Sequence, residues 1–99
     1  MPQFYSTQWM ANGWPTIDIE PMTESLFLKI LDHLCAAYNI PMPRIIDTID
    51  GYAADSTLLD SAVSLHIDAW TFAIAFEKHA TRDQIFAALL ALPENPFDQ

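Results

Sequence analysis

The residues that could carry out chemistry are concentrated in one short stretch, where Ser64, His66 and Asp68 occupy every second position. These are the residue types of a hydrolytic triad, in which a histidine takes the proton of a serine hydroxyl. Side chains two positions apart on a strand are separated by roughly 6.6 Å along it, whereas a nucleophile and its base need about 2.6–3.2 Å between heavy atoms. We therefore expect a polar strand face and predict no catalytic residues.

The same histidine and aspartate offer an incomplete metal site. A catalytic zinc ion takes three protein ligands, and His66 with Asp68 would supply two of them. The other histidines, His33 and His79, lie in distant segments. The single cysteine, Cys35, falls near the C-terminal end of a predicted helix, where the helix dipole does not lower the pKa of a thiol. We expect no metal ion and no cofactor.

An acidic segment is the feature that most favours a function. The chain has 13 Asp and Glu against 4 Lys and Arg, which gives a formal net charge of −9. No Lys or Arg occurs between Ile45 and Glu77. An acidic surface attracts a basic partner and speeds its encounter. The predicted partner-binding residues are the acids of this segment and the tyrosine among them: Asp47, Asp50, Tyr52, Asp55, Asp60 and Asp68.

Length and composition narrow the class of protein. With 99 residues, of which 52% are hydrophobic, the chain is expected to form one compact domain over residues 1–99, with residues 94–99 as a flexible tail. One cysteine excludes an internal disulfide. The negative charge disfavours direct binding to nucleic acid or to an anionic membrane.

No targeting or membrane segment is expected. The segment Met1–Tyr5 has neither the basic nor the apolar region of a secretory signal. The longest apolar runs, Trp70–Phe76 and Ile85–Pro93, are shorter than the roughly 18–20 residues of a membrane span. We therefore expect a cytoplasmic protein.

Three functions fit these observations. The leading hypothesis is a small inhibitor, of the immunity-protein or phage-inhibitor type, that covers a basic and nucleic-acid-binding surface of a partner such as a nuclease toxin. The alternative is a structural or adaptor subunit that forms a homodimer or larger oligomer through the small side chains of Thr71, Ala73 and Ala75. The third is a small enzyme that uses His66 and Asp68.

The first elements that must position these residues form a predicted hairpin. Tyr5, Thr7 and Trp9 alternate on one side of a strand, and a second strand covers residues 16–20. Asn12-Gly13 predicts a two-residue type I′ turn between them. The tryptophans that flank this turn are candidates for an exposed binding anchor.

The middle of the chain changes to a helical period. Apolar residues recur every three to four positions from Pro21 to Tyr38, which predicts a helix. For residues 43–51 we favour a short helix, although Asp50-Gly51 could instead form a hairpin turn. We predict a polar loop over Tyr52–Asp60.

Two strands and a helix are predicted to end the fold. Ala62–Asp68 and Trp70–Glu77 alternate as strands, the second being central, and Thr81 with Gln84 predicts a capping box for the last helix. The expected fold is a two-layer α+β domain, an antiparallel sheet of about four strands with two main helices in the order β-β-α-β-β-α. The predicted core residues are Phe27, Ile30, Leu34, Phe72, Ile74, Phe86 and Leu89.

Overall fold

One antiparallel sheet and two helices make up the fold. The computed structural model describes residues 2–9 and 12–92, so the predicted tail at 94–99 lies outside the described residues. Within those ranges the elements are β1 (Gln3–Gln8), β2 (Pro15–Glu20), α1 (Glu24–Ala37), β3 (Ile45–Asp47), β4 (Tyr52–Leu58), β5 (Ser61–Ile67), β6 (Phe72–Phe76) and α2 (His79–Leu90). The α+β class and the two helices are confirmed. The predicted strand number and element order are wrong, because the described residues contain six strands in the order β-β-α-β-β-β-β-α.

A long crossover connects β2 to the opposite edge of the sheet. Its strand order is β1-β2-β6-β5-β4-β3, and every neighbouring pair is antiparallel. α1 carries the chain from β2 to the far edge, and the meander from β3 to β6 returns to β2. Strands from both ends of the chain therefore meet in the middle of the sheet.

Both helices pack on the same face of the sheet. In β5 the buried apolar side chains are Val63, Leu65 and Ile67, and they pair with Phe76, Ile74 and Phe72 of β6. These residues form one cluster with the apolar residues of α1 and α2. All seven predicted core residues belong to or pack against this cluster, with Phe86 only partly buried. No described helix is long and apolar enough to cross a membrane.

The first helix begins and ends at identifiable caps. The Thr23 hydroxyl accepts a hydrogen bond from the Leu26 N–H at 3.1 Å, so the helix begins at Glu24 rather than at the predicted Pro21. It ends at Ala37, and Asn39 then adopts a positive φ of 52°. Asparagine tolerates this left-handed conformation better than most residues.

Residues 45–58 form a hairpin, so the predicted short helix over 43–51 and the predicted loop over Tyr52–Asp60 are both wrong. The Thr48 N–H donates to the Gly51 carbonyl at 2.9 Å and closes the turn between β3 and β4. A Cβ at Gly51 would lie 1.9 Å from the Ile67 carbonyl oxygen, so this turn requires glycine. The third isoleucine of the supposed helix, Ile49, is fully exposed, which leaves the helix without an apolar face.

The type I′ turn occurs elsewhere than predicted. The Trp9 N–H donates to the Trp14 carbonyl at 2.9 Å, so four residues rather than two lie between this last bonded pair, and six connect β1 to β2. The prediction at Asn12-Gly13 is therefore wrong. Instead, Leu59 and Asp60 have positive φ values of 48° and 64° between the paired ends of β4 and β5. Both central residues of a type I′ turn need positive φ, and Leu-Asp is not a residue pair that typically predicts such a turn.

The predicted capping box of α2 is also wrong. The helix begins at His79, with Lys78 at the cap position and no side-chain cap hydrogen bond. Thr81 lies inside the first turn and is buried, and its hydroxyl donates to the Leu59 carbonyl at 3.5 Å. The threonine therefore ties α2 to the β4–β5 turn.

Candidate functional site

The side of the sheet opposite the helices, which we call the open face, collects the polar residues of the strands. Strand alternation sends every second side chain to this side. In its middle row, Asp18 of β2, Ala73 of β6, His66 of β5 and Ala53 of β4 are neighbours in register. The open-face residues used below are Tyr5, Thr7, Trp9, Thr16, Asp18, Glu20, Asp55, Thr57, Ala62, Ser64, His66, Ala73 and Ala75.

The open face has a floor of small side chains. Ala73 and Ala75 are completely buried, yet they are not part of the apolar cluster under the helices. Ala73 lies between Asp18 and His66, whose Cα atoms are two strand spacings, about 10 Å, apart. We call this strip of small side chains, with an aspartate on one side and a histidine on the other, the recess; the longer side chains around it cover its alanines completely.

A histidine and an aspartate are joined at the end of β5. His66 Nε2 lies 3.1 Å from Asp68 Oδ2. The other oxygen of this carboxylate, Oδ1, accepts hydrogen bonds from the N–H groups of Trp70 and Thr71, both at 2.7 Å. The Trp70 N–H, with smaller contributions from His66 and Thr71, holds the pKa of Asp68 below its ordinary value. Asp68 is thus an ionised group with a fixed orientation at neutral pH.

The hydrogen bond between His66 and Asp68 corrects the distance argument from the sequence. That argument assumed two residues of the same strand, but β5 ends at Ile67. Asp68 follows the strand, where the backbone turns, and its carboxylate reaches back to the imidazole. Ser64 lies within the strand and makes no hydrogen bond to His66 among the described contacts. The distance argument therefore holds for Ser64 but not for Asp68.

An aromatic side chain from the far end of the sheet reaches this pair. The rings of Trp9 and His66 are perpendicular, with an interplanar angle of 88° and centroids 6.5 Å apart. Trp9 is half-buried, so part of the indole stays open to solvent. The most exposed tryptophan is Trp70, at 73%, in the turn after Asp68. Trp9 is thus the aromatic side chain that contacts His66, while Trp70 extends into solvent.

Asp18 occupies a less favourable environment than Asp68. Burial raises the pKa of Asp18, and the neighbouring Thr16 hydroxyl opposes this by a smaller amount. Thr16 is itself fully buried, and its Oγ1 does not reach hydrogen-bond geometry with any described group. Further along the strand, the Tyr5 hydroxyl hydrogen-bonds Gln3 and lies 3.5 Å from a carboxylate oxygen of Glu20. Neither acid of β2 forms an ion pair with another described residue.

No Lys or Arg occupies an open-face position. Arg82 of α2 donates from the helix side to the backbone carbonyls of Thr7, at 2.9 Å, and Thr16, at 3.2 Å. Lys29 belongs to α1, Arg44 precedes β3 and Lys78 precedes α2. Four acids, in contrast, lie on the open face or at its end: Asp18, Glu20, Asp55 and Asp68.

The predicted partner-binding residues are divided between the faces and ends of the sheet. Asp55 is exposed on the open face, and Asp68 lies at one end of it. Asp60 lies in the β4–β5 turn at the opposite end, a strand length of roughly 24 Å from Asp68. Neighbours in sequence are therefore distant in the fold.

The other three predicted residues lie at the β3–β4 edge. Asp47 and Asp50 are exposed there. Tyr52 faces the helices, with its ring 6.4 Å from that of Phe27, and a hydrogen bond with Glu24 raises the pKa of its phenol. The predicted partner-binding residues do not include Asp18 or Glu20, and Trp9 is expected only as a candidate anchor beside the hairpin turn. The alternation of Ile17 and Ile19 with acids in β2 was the only available indication of two of them.

The described residues contain no group of three histidine, cysteine or acidic side chains that could hold a metal ion. Cys35 is buried, and its Sγ lies 3.8 Å from the Pro41 carbonyl oxygen. Burial, and then the charge of Asp32, raises the pKa of this thiol, which makes it a poor nucleophile. Comparison of the chain with protein-family models, with curated proteins and with solved structures finds no match.

Proposed function

We propose that the protein is a binding module whose open face recognises a basic surface of another protein. The observation that carries this proposal is the composition of that face, which has four acids and no Lys or Arg around a recess bordered by Trp9 and His66. Charges of one sign on one face sum to a field that steers a basic partner into place. The predicted acids outside the face, Asp47, Asp50 and Asp60, contribute to this field without touching the partner.

The recess suits the side chain of an arginine or lysine from the partner. A guanidinium or ammonium group at the rim of the recess, beside the covered Ala73, would meet the carboxylate of Asp18 and the exposed part of Trp9. The indole face attracts cations, and the partly buried carboxylate would gain the opposite charge that it lacks. Bidentate geometry favours arginine over lysine at a carboxylate.

A strongly basic patch is the electrostatic signature of a surface that binds nucleic acid. A module that covers one of them would compete with the phosphate backbone and so inhibit the partner. We therefore retain the inhibitor hypothesis, with a nuclease toxin or another nucleic-acid-binding protein as the target class. Such competition would weaken as salt is added, because the attraction is electrostatic.

The proposal is tested by capture with matched charge variants. One variant combines Asp18→Asn, Glu20→Gln and Asp55→Asn on the open face. The control removes the same number of charges elsewhere through Asp32→Asn, Asp47→Asn and Asp60→Asn. Each is immobilised, after circular dichroism confirms folding, and exposed to lysate of the source organism.

We expect the parent and the control to retain the same basic protein, identified by mass spectrometry, and the open-face variant to lose it. Equal retention by all three, or loss by the control alone, would place the interface elsewhere.

A second candidate function is favoured by the 3.1 Å contact between His66 and Asp68. A histidine held by a carboxylate can act as a general base. Generic ester and phosphodiester substrates would test this candidate. Turnover that is lost in His66→Ala but kept in the open-face charge variant would favour an enzyme over a binding module.

A further inference from the structure

The first strand of the sheet has an unprotected edge. Among residues 2–9 and 12–92, β1 lies at the end of the sheet and pairs with β2 on one side only. Its residues, Gln3–Gln8, include no charge, proline or glycine, and all except Phe4 are exposed. Natural proteins usually shorten, charge or bulge such edges, because free N–H and C=O groups recruit another strand. The outer edge of β1 is therefore available for pairing with another strand.

The register shows which backbone groups are free. In an antiparallel ladder, alternate residues turn their N–H and C=O groups toward the neighbouring strand. The hydrogen bond from the Trp9 N–H to the Trp14 carbonyl places Trp9 among the residues that face β2. Every second residue before Trp9 does the same. The residues of β1 whose backbone groups point away from the sheet are Phe4, Ser6 and Gln8.

We propose that β1 pairs with β1 of a second copy of this chain, antiparallel and centred on Ser6. In this register Phe4 lies opposite Gln8 of the partner subunit, and the two Ser6 residues face each other. All three outward residues then donate and accept a hydrogen bond. On the open face, Tyr5 lies opposite Thr7 of the partner subunit, and aromatic with β-branched pairs stabilise sheets.

Charge favours this edge for self-association. Two copies with a formal charge of −9 repel each other, but residues 2–17 contain no charged side chain. The nearest acids, Asp18 of each copy, would be three strand spacings or about 14 Å apart. That exceeds the Debye length of about 8 Å at physiological ionic strength.

The other edge of the sheet is unsuitable. β3 has only three residues, ends at Asp47 and is followed by Asp50. Only Ile45 and Asp47 of this short strand turn their backbone groups away from β4, which is too few for a stable pairing. A neutral edge such as β1 likewise offers no electrostatic attraction to a basic partner, so a second copy is its best occupant.

The dimer would not cover the proposed binding surface. A two-fold axis perpendicular to the sheet at Ser6 keeps the helices of both copies on one side and both open faces on the other. The two recesses would then face the same direction. This pairing is independent of the proposed function, because it depends on the backbone and the neutral charge of β1 and not on the open face.

The test combines a mass measurement with an edge variant. Sedimentation equilibrium over a wide range of protein concentration should show a species of twice 11.2 kDa. Ser6→Pro removes an outward N–H without breaking the ladder to β2, and we expect a single-chain mass. Asp47→Pro makes the same change at the β3 edge, where Thr48 rather than Asp47 bonds to β4, and it should remain dimeric.

Residue-level amide exchange on the parent protein identifies the interface even if a variant fails to fold. The Ser6 and Gln8 amides should exchange as slowly as those of Tyr5 and Thr7 at high concentration, and faster on dilution. A single-chain mass at every concentration would overturn the proposal. So would a dimer with a rapidly exchanging Ser6 amide, a dimeric Ser6→Pro variant, or protection that appears only when a basic protein is added.

Discussion

The two faces of the sheet are built from the same strands and have opposite compositions. Toward the helices, β6 presents Phe72, Ile74 and Phe76, all at most 1% exposed. Toward the open face, the same strand presents only Ala73 and Ala75. Large apolar side chains are placed where they can be covered, and small ones where acids and aromatic residues surround them.

Because of this difference, stability depends mainly on the side of the sheet that faces the helices, and recognition is assigned to the open face. Burial against the helices supplies the hydrophobic free energy that folds the chain. The open face is therefore free to carry charges, such as Asp18, that contribute nothing favourable to folding. Substitution of core residues should therefore change the free energy of unfolding, whereas substitution of exposed acids on the open face should mainly change binding to the partner.

The largest effect on stability is expected on the helix side. Ile74→Ala removes a fully buried side chain from the core and should lower the free energy of unfolding by about 2–5 kcal/mol, out of a total of about 5–15 kcal/mol. Thr57→Ala, at an exposed position of the open face, should change it by less than about 0.5 kcal/mol. Urea unfolding measures both. Equal effects would contradict the assignment of the core to one face.

A larger side chain should be tolerated beside the alanine floor, at Ala62, but not within it, at Ala75. Ala75→Leu adds bulk where no surface is exposed and should cost about 1–3 kcal/mol. Ala62→Leu makes the same change on the same face at a half-exposed position, and thermal unfolding should detect little difference from the parent. A fully tolerated Ala75→Leu would mean that the floor is not packed.

The pH dependence of stability should have opposite signs for two acids. The Trp70 N–H, with His66 and Thr71, lowers the pKa of Asp68. Its stabilising contribution is therefore present above the pKa of an unfolded chain, about 3.9, and is lost as pH falls through the folded pKa. Burial raises the pKa of Asp18, so its contribution is most favourable below about 3.9 and is lost as pH rises through the folded pKa.

Unfolding of two asparagine variants across the pH range measures this contrast. Asp68→Asn should be less stable than the parent at neutral pH, with the difference shrinking in acid. Asp18→Asn should be as stable as the parent or more so at neutral pH, and should lose any advantage in acid. Variants whose curves shift in the same direction would show that the two carboxylates do not differ in environment.

Elements with their own apolar face could be predicted from the sequence. The helical period of α1 and the alternation of β5 and β6 appear within single segments, because burial against one core sets both the spacing and the face. The segment 43–58 could not be predicted in this way. Isoleucines in β3 fit a helical spacing, and only pairing with β4 decides that they form a strand.

The candidate site could be predicted only in part. Its acidic character and the residues His66, Asp68 and Asp55 follow from one stretch of sequence. Asp18 joins them because the strand order places β2 beside β6, which no local pattern reveals. Trp9 reaches His66 across that same sheet, so long-range pairing rather than sequence proximity assembles the recess.

Removal of a single charge should have the smallest effect, and the quantity affected should be the rate of association. Asp55→Asn, on the open face, should slow association with the captured basic protein by less than about tenfold, and salt should remove the difference. Asp60→Asn, in the distant β4–β5 turn, should slow association less. Stopped-flow measurement at low and high salt compares them. A larger effect at Asp60 would move the binding surface to that turn.

The most direct test of the account is a map of where the captured basic protein binds. Amide resonances of the isotope-labelled protein are followed while that basic protein is added. We expect shifts on the open face, at Asp18, Asp55 and His66, with little change along the exposed side of α1 (Glu24–Ala37). The indole N–H of Trp9 should shift as well. Shifts confined to α1 or α2, with an unchanged open face, would contradict the central claim.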